Sequence, residues 1–142
     1  MRVTEVLKRK GGTVVTIPPD RSVRELLTLL AEHRIGAVVV SDDGERVAGI
    51  VSERDIVRRL NEDGDGILDR AVREIMTEDV HSCGPQDSVD ELMSVMTARR
   101  IRHLPVLVDG HLVGIISIGD VVKHRIEEVQ EERDQLNAYL QR

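Results

Sequence analysis

The sequence predicts a mixed fold of α/β (α+β) class: two β-α-β-β-α repeats packed as a pseudo-twofold pair, with a C-terminal amphipathic helix. Three observations lead there. The chain repeats itself, each copy alternates short β-branched runs with segments of helical period, and its apolar residues are nearly all aliphatic. TIPPDRSVRELLTLLAEHRIGAVVV (16–40) lies over SCGPQDSVDELMSVMTARRIRHLPV (82–106), and RVAGIVSERDIV (46–57) over HLVGIISIGDVV (111–122). The lead-ins VTEVLK (3–8) and VREIMT (72–77) correspond as well. Self-similarity over this span marks a duplicated supersecondary unit. The 142 residues include no Phe, no Trp and one Tyr, so the core has to come from Val, Ile, Leu, Met and Ala, as in packed strands and helices.

Each element has a local reason. A short strand (14–17; 80–83) leads through a Pro-containing turn to a capping box, Ser22 with Glu25 and Ser88 with Glu91. The helix that follows places Val23, Leu26, Leu27 and Leu30, or Val89, Leu92, Met93 and Met96, on one stripe. A β-branched run (37–40; 104–108) then meets a turn signal, DDG at 42–44 or DG at 109–110. The second hairpin strand (47–51; 112–116) ends at Ser52 or Ser117, where a second helix begins. Boundaries follow: repeat 1 with its lead-in at 1–62, a connector at 63–71, repeat 2 at 72–125 and the terminal helix at 126–142. A unit this small is marginal alone, and stacking two face to face buries one shared set of sheet surfaces. In the terminal helix Val122, Ile126, Val129, Leu136 and Leu140 step by fours and threes, with Arg133 interrupting. Such a helix packs either on its own module or on the same helix of a second chain.

The bulk properties exclude several roles. A net charge of −6 disfavours a polynucleotide partner, and aromatic platforms for stacking bases are lacking. A small anion needs only a few local cations and stays open. No apolar run approaches the ~20 residues that span a bilayer, and no signal peptide opens the chain. Cys83 is the sole cysteine, which suits a reducing cytoplasm and reads as a small buried hydrophobe. No metal-ligand cluster, Walker-type phosphate loop or nucleophile triad is spelled out, so neither an enzyme nor a metal site is expected.

Tandem β-α-β-β-α units with an "xxLPVV"-type strand, a DG hairpin and a closing G-h-h-S/T-x-x-D (GIVSERD, GIISIGD) resemble a pair of CBS domains, named after cystathionine β-synthase. The resemblance covers residues 1 to about 125 and is to a freestanding pair without a catalytic domain. It implies a regulatory or sensor module that binds adenosine-containing ligands (AMP, ADP, ATP, NAD or S-adenosylmethionine) between its repeats, AMP being the first expectation. It also implies a homodimer, and a regulated protein partner that the residues do not name. A structural or protein-interaction module with empty clefts is the alternative.

Within that resemblance, Asp55 and Asp120 suit a ribose, since one carboxylate accepts hydrogen bonds from two vicinal hydroxyls. Ser52 and Ser117 stand at helix N-termini that favour a phosphate. Ser-x-x-Asp is equally a plain capping box. RIRHLP (100–105) faces RIGAVV (34–39) in the other copy, so Arg102 and His103 are matched with Gly36 and Ala37. The resemblance sets Arg102 and His103, with Pro105 in the same segment, at the phosphate of the site holding Ser52 and Asp55; they read alternatively as ordinary rim cations at a helix end. Glu53 and Arg54 stand either near that phosphate or on a solvent-facing helix turn. A second, unequal site pairs Ser117 and Asp120 with Gly36 and Ala37, and Lys8, Arg9 and Lys10 stand near it, as phosphate donors or as a solvated basic surface. Adenine is expected along the first strands, at Val15, Thr16 and Ile17 and at His81, which reads alternatively as a satisfied edge histidine.

Overall fold

Val38, Val39 and Val40 are β-branched residues that fit a pleated, buried surface, and they form the centre of a three-stranded sheet. The computed structural model describes residues 1–11 and 13–141. The first half runs α1 (Val3–Lys10), β1 (Thr16–Ile17), α2 (Val23–His33), β2 (Ala37–Val40), β3 (Gly49–Ser52) and α3 (Glu53–Asp63). Two 3-10 turns, Asp65–Asp69 and Val72–Glu74, lead to α4 (Val89–Arg99), β4 (His103–Val108), β5 (His111–Ser117) and α5 (Ile118–Leu140). β2 pairs parallel to β1 and antiparallel to β3, while β4 and β5 form an antiparallel hairpin.

The β-α-β-β-α order is present with local departures. The expected strand at 80–83 is absent. Only Cys83 pairs, in a single parallel bridge to Val106, with its N–H on the Pro105 carbonyl (3.0 Å) and its carbonyl taking the Leu107 N–H (2.9 Å). Gly84 and Pro85 follow at once, and the chain turns away. In the first half the strand shrinks to Thr16–Ile17. The DG turn holds: Asp109 and Gly110 have φ of 51° and 79°, the two positive values of a type I′ hairpin. The DDG segment instead opens into a loop, because Asp43 accepts the N–H groups of Glu45 (2.8 Å) and Arg46 (2.9 Å). That delays β3 to Gly49.

Helix starts are satisfied in two ways. Ser22 accepts the Glu25 N–H at 3.1 Å, one half of its expected capping box, while the Glu25 carboxylate meets Arg21 (3.5 Å) instead of the Ser22 N–H. The Ser88 side chain makes no cap bond, correcting the second expected box. There the Met1 carbonyl accepts the Val89 N–H (3.0 Å), as the Arg70 carbonyl accepts the Val23 N–H (2.9 Å) in the other half. Along the expected stripes Val23, Leu26 and Leu30, and Val89, Leu92 and Met96, are buried, but Leu27 is 37% exposed.

The core differs from the expected single shared sheet interface. Two aliphatic clusters form instead, and each recruits the lead-in of the opposite repeat. Val3 and Val6 of α1 join Leu92, Met96, Leu104, Val106, Ile116 and Val121 of the second half. Val72 and Ile75 join Leu26, Leu30, Val38, Val51 and Ile56 of the first. Isolated bridges Arg2 to Ser88 and Ser22 to Ala71 fasten the exchange at equivalent places. Each fully buried Val contributes roughly 1.5–3 kcal/mol relative to exposure, so neither core is complete without its neighbour's lead-in. The lead-ins cross the sheets at the glycines of GIVS and GIIS. A Cβ on Gly49 would lie 2.7 Å from Met76 Sδ and 2.9 Å from the Thr77 carbonyl oxygen. One on Gly114 would lie 2.6 Å from Leu7 Cδ2.

Candidate functional site

Ser52 and Ser117 end β3 and β5 and cap α3 and α5. Ser52 accepts the Asp55 N–H (3.3 Å) while Asp55 accepts the Ser52 N–H (2.9 Å). Ser117 and Asp120 do the same at 3.1 and 3.0 Å. The capping box is therefore realised twice, and it holds each carboxylate at a strand–helix junction. The side chains of Asp55 and Asp120 are 14% and 23% exposed.

A cavity of about 580 Å³ opens between the halves. Gly36, Ala37, Ser52, Glu53, Arg54 and Asp55 line it from the first half. Arg100, Arg102, His103 and Ser117 line it from the second. Asp55 thus shares one hollow with Arg102 and His103. A Cβ added to Gly36 would sit 3.7 Å from both the Glu53 carboxyl and His103 Cε1, so the absence of a side chain there leaves the middle of the hollow open. Burial holds the His103 pKa below its ordinary value, Lys10 and Arg102 add to that, and Asp120 and Glu53 oppose it. The imidazole is accordingly neutral at pH 7 and offers one donor and one acceptor. Arg58 reaches Asp55 Oδ1 at 3.0 Å from its own helix.

Sequence reasoning overlooked Arg58, Arg100 and Thr77 in the lining. Arg100 stands in the left-handed region at φ 55°, as Arg34 does at φ 53°. These residues close α4 and α2, and the next N–H reaches back to Met96 (3.1 Å) or Leu30 (3.1 Å). The repeated Arg-Ile after each helix was the available signal. Thr77 arrives on the crossing lead-in, which no local pattern announces.

Other expected residues lie elsewhere. Asp120 borders a separate groove of about 390 Å³ between α1 and α5, with Arg9, Lys10, Lys123 and His124. Its nominal partners Gly36, Ala37 and Ser117 face the larger cavity. Thr16 and Ile17 pair with Val39 and Val40, Val15 packs on the first core, and Pro105 is buried opposite Ile115 on β5. His81 Nε2 lies 2.9 Å from Arg99 Nη1. Cys83 is buried, its thiol pushed up to about 12 by burial and by Asp87. Among the described residues no cluster of His, Cys, Asp or Glu is arranged to hold a metal ion, and no helix is long and apolar enough to cross a membrane.

The pattern of the CBS domain matches residues 3–62 and 72–127. The chain belongs to the CBS domain family. Its two CBS domains correspond to the two repeats. The mitochondrial CBS domain-containing protein CBSX3 of Arabidopsis thaliana is 37% identical over 147 residues, covering 98% of this chain and 71% of that protein. The crystal structure of the CBS-domain containing protein ATU1752 from Agrobacterium tumefaciens superposes with a TM-score of 0.85 at 46% identity, covering 88% of this chain and 99% of that one. The CBS domain pair of protein MJ0100, solved with 5′-methylthioadenosine and S-adenosyl-L-methionine, shares the fold at a TM-score of 0.80 and 23% identity, covering 90% and 98%.

Proposed function

We propose that this CBS pair is a non-catalytic regulatory module that binds an adenosine-containing ligand, AMP before ATP or NAD, in the cavity between its halves. The observation that carries the reading is the meeting of Asp55 from one half with Arg102 and His103 from the other in one hollow. Asp55 accepts the ribose hydroxyls. The Arg102 guanidinium takes the phosphate through its planar fork, and the N-terminus of α3 at Ser52 adds free N–H groups and a favourable dipole. The cavity suits a nucleoside monophosphate in size, since small-molecule sites run from roughly 300 to 1,000 Å³. The adenosine ligands of the MJ0100 pair lend the same chemistry from a distant relative. A homodimer, a protein that reads the ligand state and a reducing cytoplasmic setting belong to the same proposal.

Titration of AMP into the full chain, followed by calorimetry and melting temperature, tests it. AMP raises the melting temperature, because a ligand specific for the native form stabilises it by mass action. Asp55→Asn weakens AMP at least tenfold and weakens adenosine by a similar factor. Arg102→Gln weakens AMP but not adenosine. Absence of any AMP effect on the wild-type chain favours the alternative, a protein-interaction module with unfilled clefts.

A further inference from the structure

The two halves diverge at one pair of equivalent carbonyls. In the first half the free edge of β3 is continued by the crossing lead-in: Ile50 donates to the Thr77 carbonyl at 3.0 Å and accepts the Thr77 N–H at 2.8 Å. Ile115 is the counterpart of Ile50, and its carbonyl takes a side chain instead, the Lys10 ammonium at 2.9 Å. The shape of the lead-ins explains this. Val72–Glu74 is a single 3-10 turn, after which extended backbone can pair with a strand. Val3–Lys10 stays helical to its last residue, so it meets β5 with a side chain.

The same ammonium donates to Asp120 Oδ2 at 2.7 Å. It therefore lies between the edge of β5 and the carboxylate at the N-terminus of α5. Burial alone would raise the Asp120 pKa, but the bonds from Lys10 and Ser117 hold it below the ordinary value, so the carboxylate is charged at neutral pH. Among the described residues no lysine or arginine of the other half or of a lead-in bonds to Asp55 in this way. Its cationic neighbour Arg58 comes from the next turn of its own helix and is 63% exposed, against 34% for Lys10.

We propose that Lys10 is a built-in occupant of the second Ser-x-x-Asp site, filling the place at Asp120 that ribose hydroxyls would take, so that the chain holds one adenosine ligand rather than two. This rests on the reading that the Asp55 carboxylate binds ribose. A charge-assisted bond is about twice as strong as a neutral one, and the ammonium is anchored at two acceptors. A neutral diol has to displace both. The asymmetry between the two sites thus originates in the length of a helix at the far end of the sequence.

Calorimetric titration with AMP on the full chain decides the matter. The wild type binds one AMP, Lys10→Met binds two, and Lys10→Met with Asp120→Asn returns to one. Lys10→Gln serves as the second variant should Lys10→Met fail to fold. The proposal is overturned if the wild type already binds two with one lost in Asp120→Asn, or if the Lys10 variants still bind one. It is overturned equally if they lose affinity, which would make Lys10 a phosphate donor. Failure of the underlying reading has a different signature, wild-type binding that Asp55→Asn leaves untouched. If the wild type binds no AMP, a site gained in Lys10→Met and lost with Asp120→Asn still supports the occupant, and no gain overturns it.

Discussion

His103 is a cleft histidine whose protonation its surroundings disfavour. Burial, Lys10 and Arg102 depress its pKa, against the pull of Asp120 and Glu53. Between its ordinary value of 6.5 and its lower folded value, the unfolded chain binds a proton that the native chain does not. The stability contributed by the neutral imidazole is complete above pH 6.5 and is lost as the pH falls through that window. His103→Gln cannot take up that proton. Melting temperatures recorded from pH 7.5 down to 5.5 are expected to fall more steeply for the wild type than for His103→Gln, by a few degrees in all. Parallel curves would show that the imidazole is not held neutral by its surroundings. A bound phosphate would oppose the depression, and His103 would then become a charged donor to it.

At the scale of the elements, the glycines of GIVS and GIIS mark where each lead-in crosses a sheet. The two crossings differ in what would have to move. A methyl group on Gly49 meets the Thr77 carbonyl oxygen at 2.9 Å, and that group is fixed by its bonds to Ile50. A methyl on Gly114 meets only the end of the Leu7 side chain. Gly49→Ala is therefore expected to cost about 2 kcal/mol and Gly114→Ala distinctly less, with Leu7→Val restoring part of the second loss in chemical denaturation. Equal costs, or no rescue, would count against the crossing geometry. These crossings also explain what the sequence could and could not disclose. Strand β2, the Ser52 and Ser117 caps and the Asp109–Gly110 hairpin were legible because neighbours in the chain decide them. The halt of the strand expected before Cys83, the idle Ser88 hydroxyl and the entry of Thr77 and Arg100 into the cleft were not. The last two depend on a partner from the other repeat or on a helix end, and the first on a chain that turns away at Gly84 and Pro85. The shared hollow of Asp55, Arg102 and His103 was implied by the resemblance to CBS pairs, whereas matching the copies only set Arg102 and His103 against Gly36 and Ala37. The clasp of Lys10 on Asp120 was not, because it depends on where α1 stops.

For the whole molecule, the outer face of α5 gathers many of the exposed large apolar residues. The helix spans ~35 Å at 1.5 Å per residue. Its apolar ladder stays open to solvent, with Ile126 53%, Val129 51%, Leu136 58% and Leu140 70% exposed. We expect a homodimer that covers part of this ladder. Sedimentation velocity should give a dimer for the wild type and a monomer for Val129→Asp with Leu136→Asp, with unchanged circular dichroism. A wild-type monomer, or a variant that stays dimeric, would move the interface to another face. The exchanged lead-ins act on the chain before any dimer forms. Val3 and Val6 leave the ribosome long before Ile116 and Val121, the residues they are destined to meet. The first repeat, for its part, lacks Val72 and Ile75 until the next lead-in emerges. The first half is therefore sealed only after its own synthesis is over, and Val3 and Val6 stay uncovered until translation has passed the second hairpin.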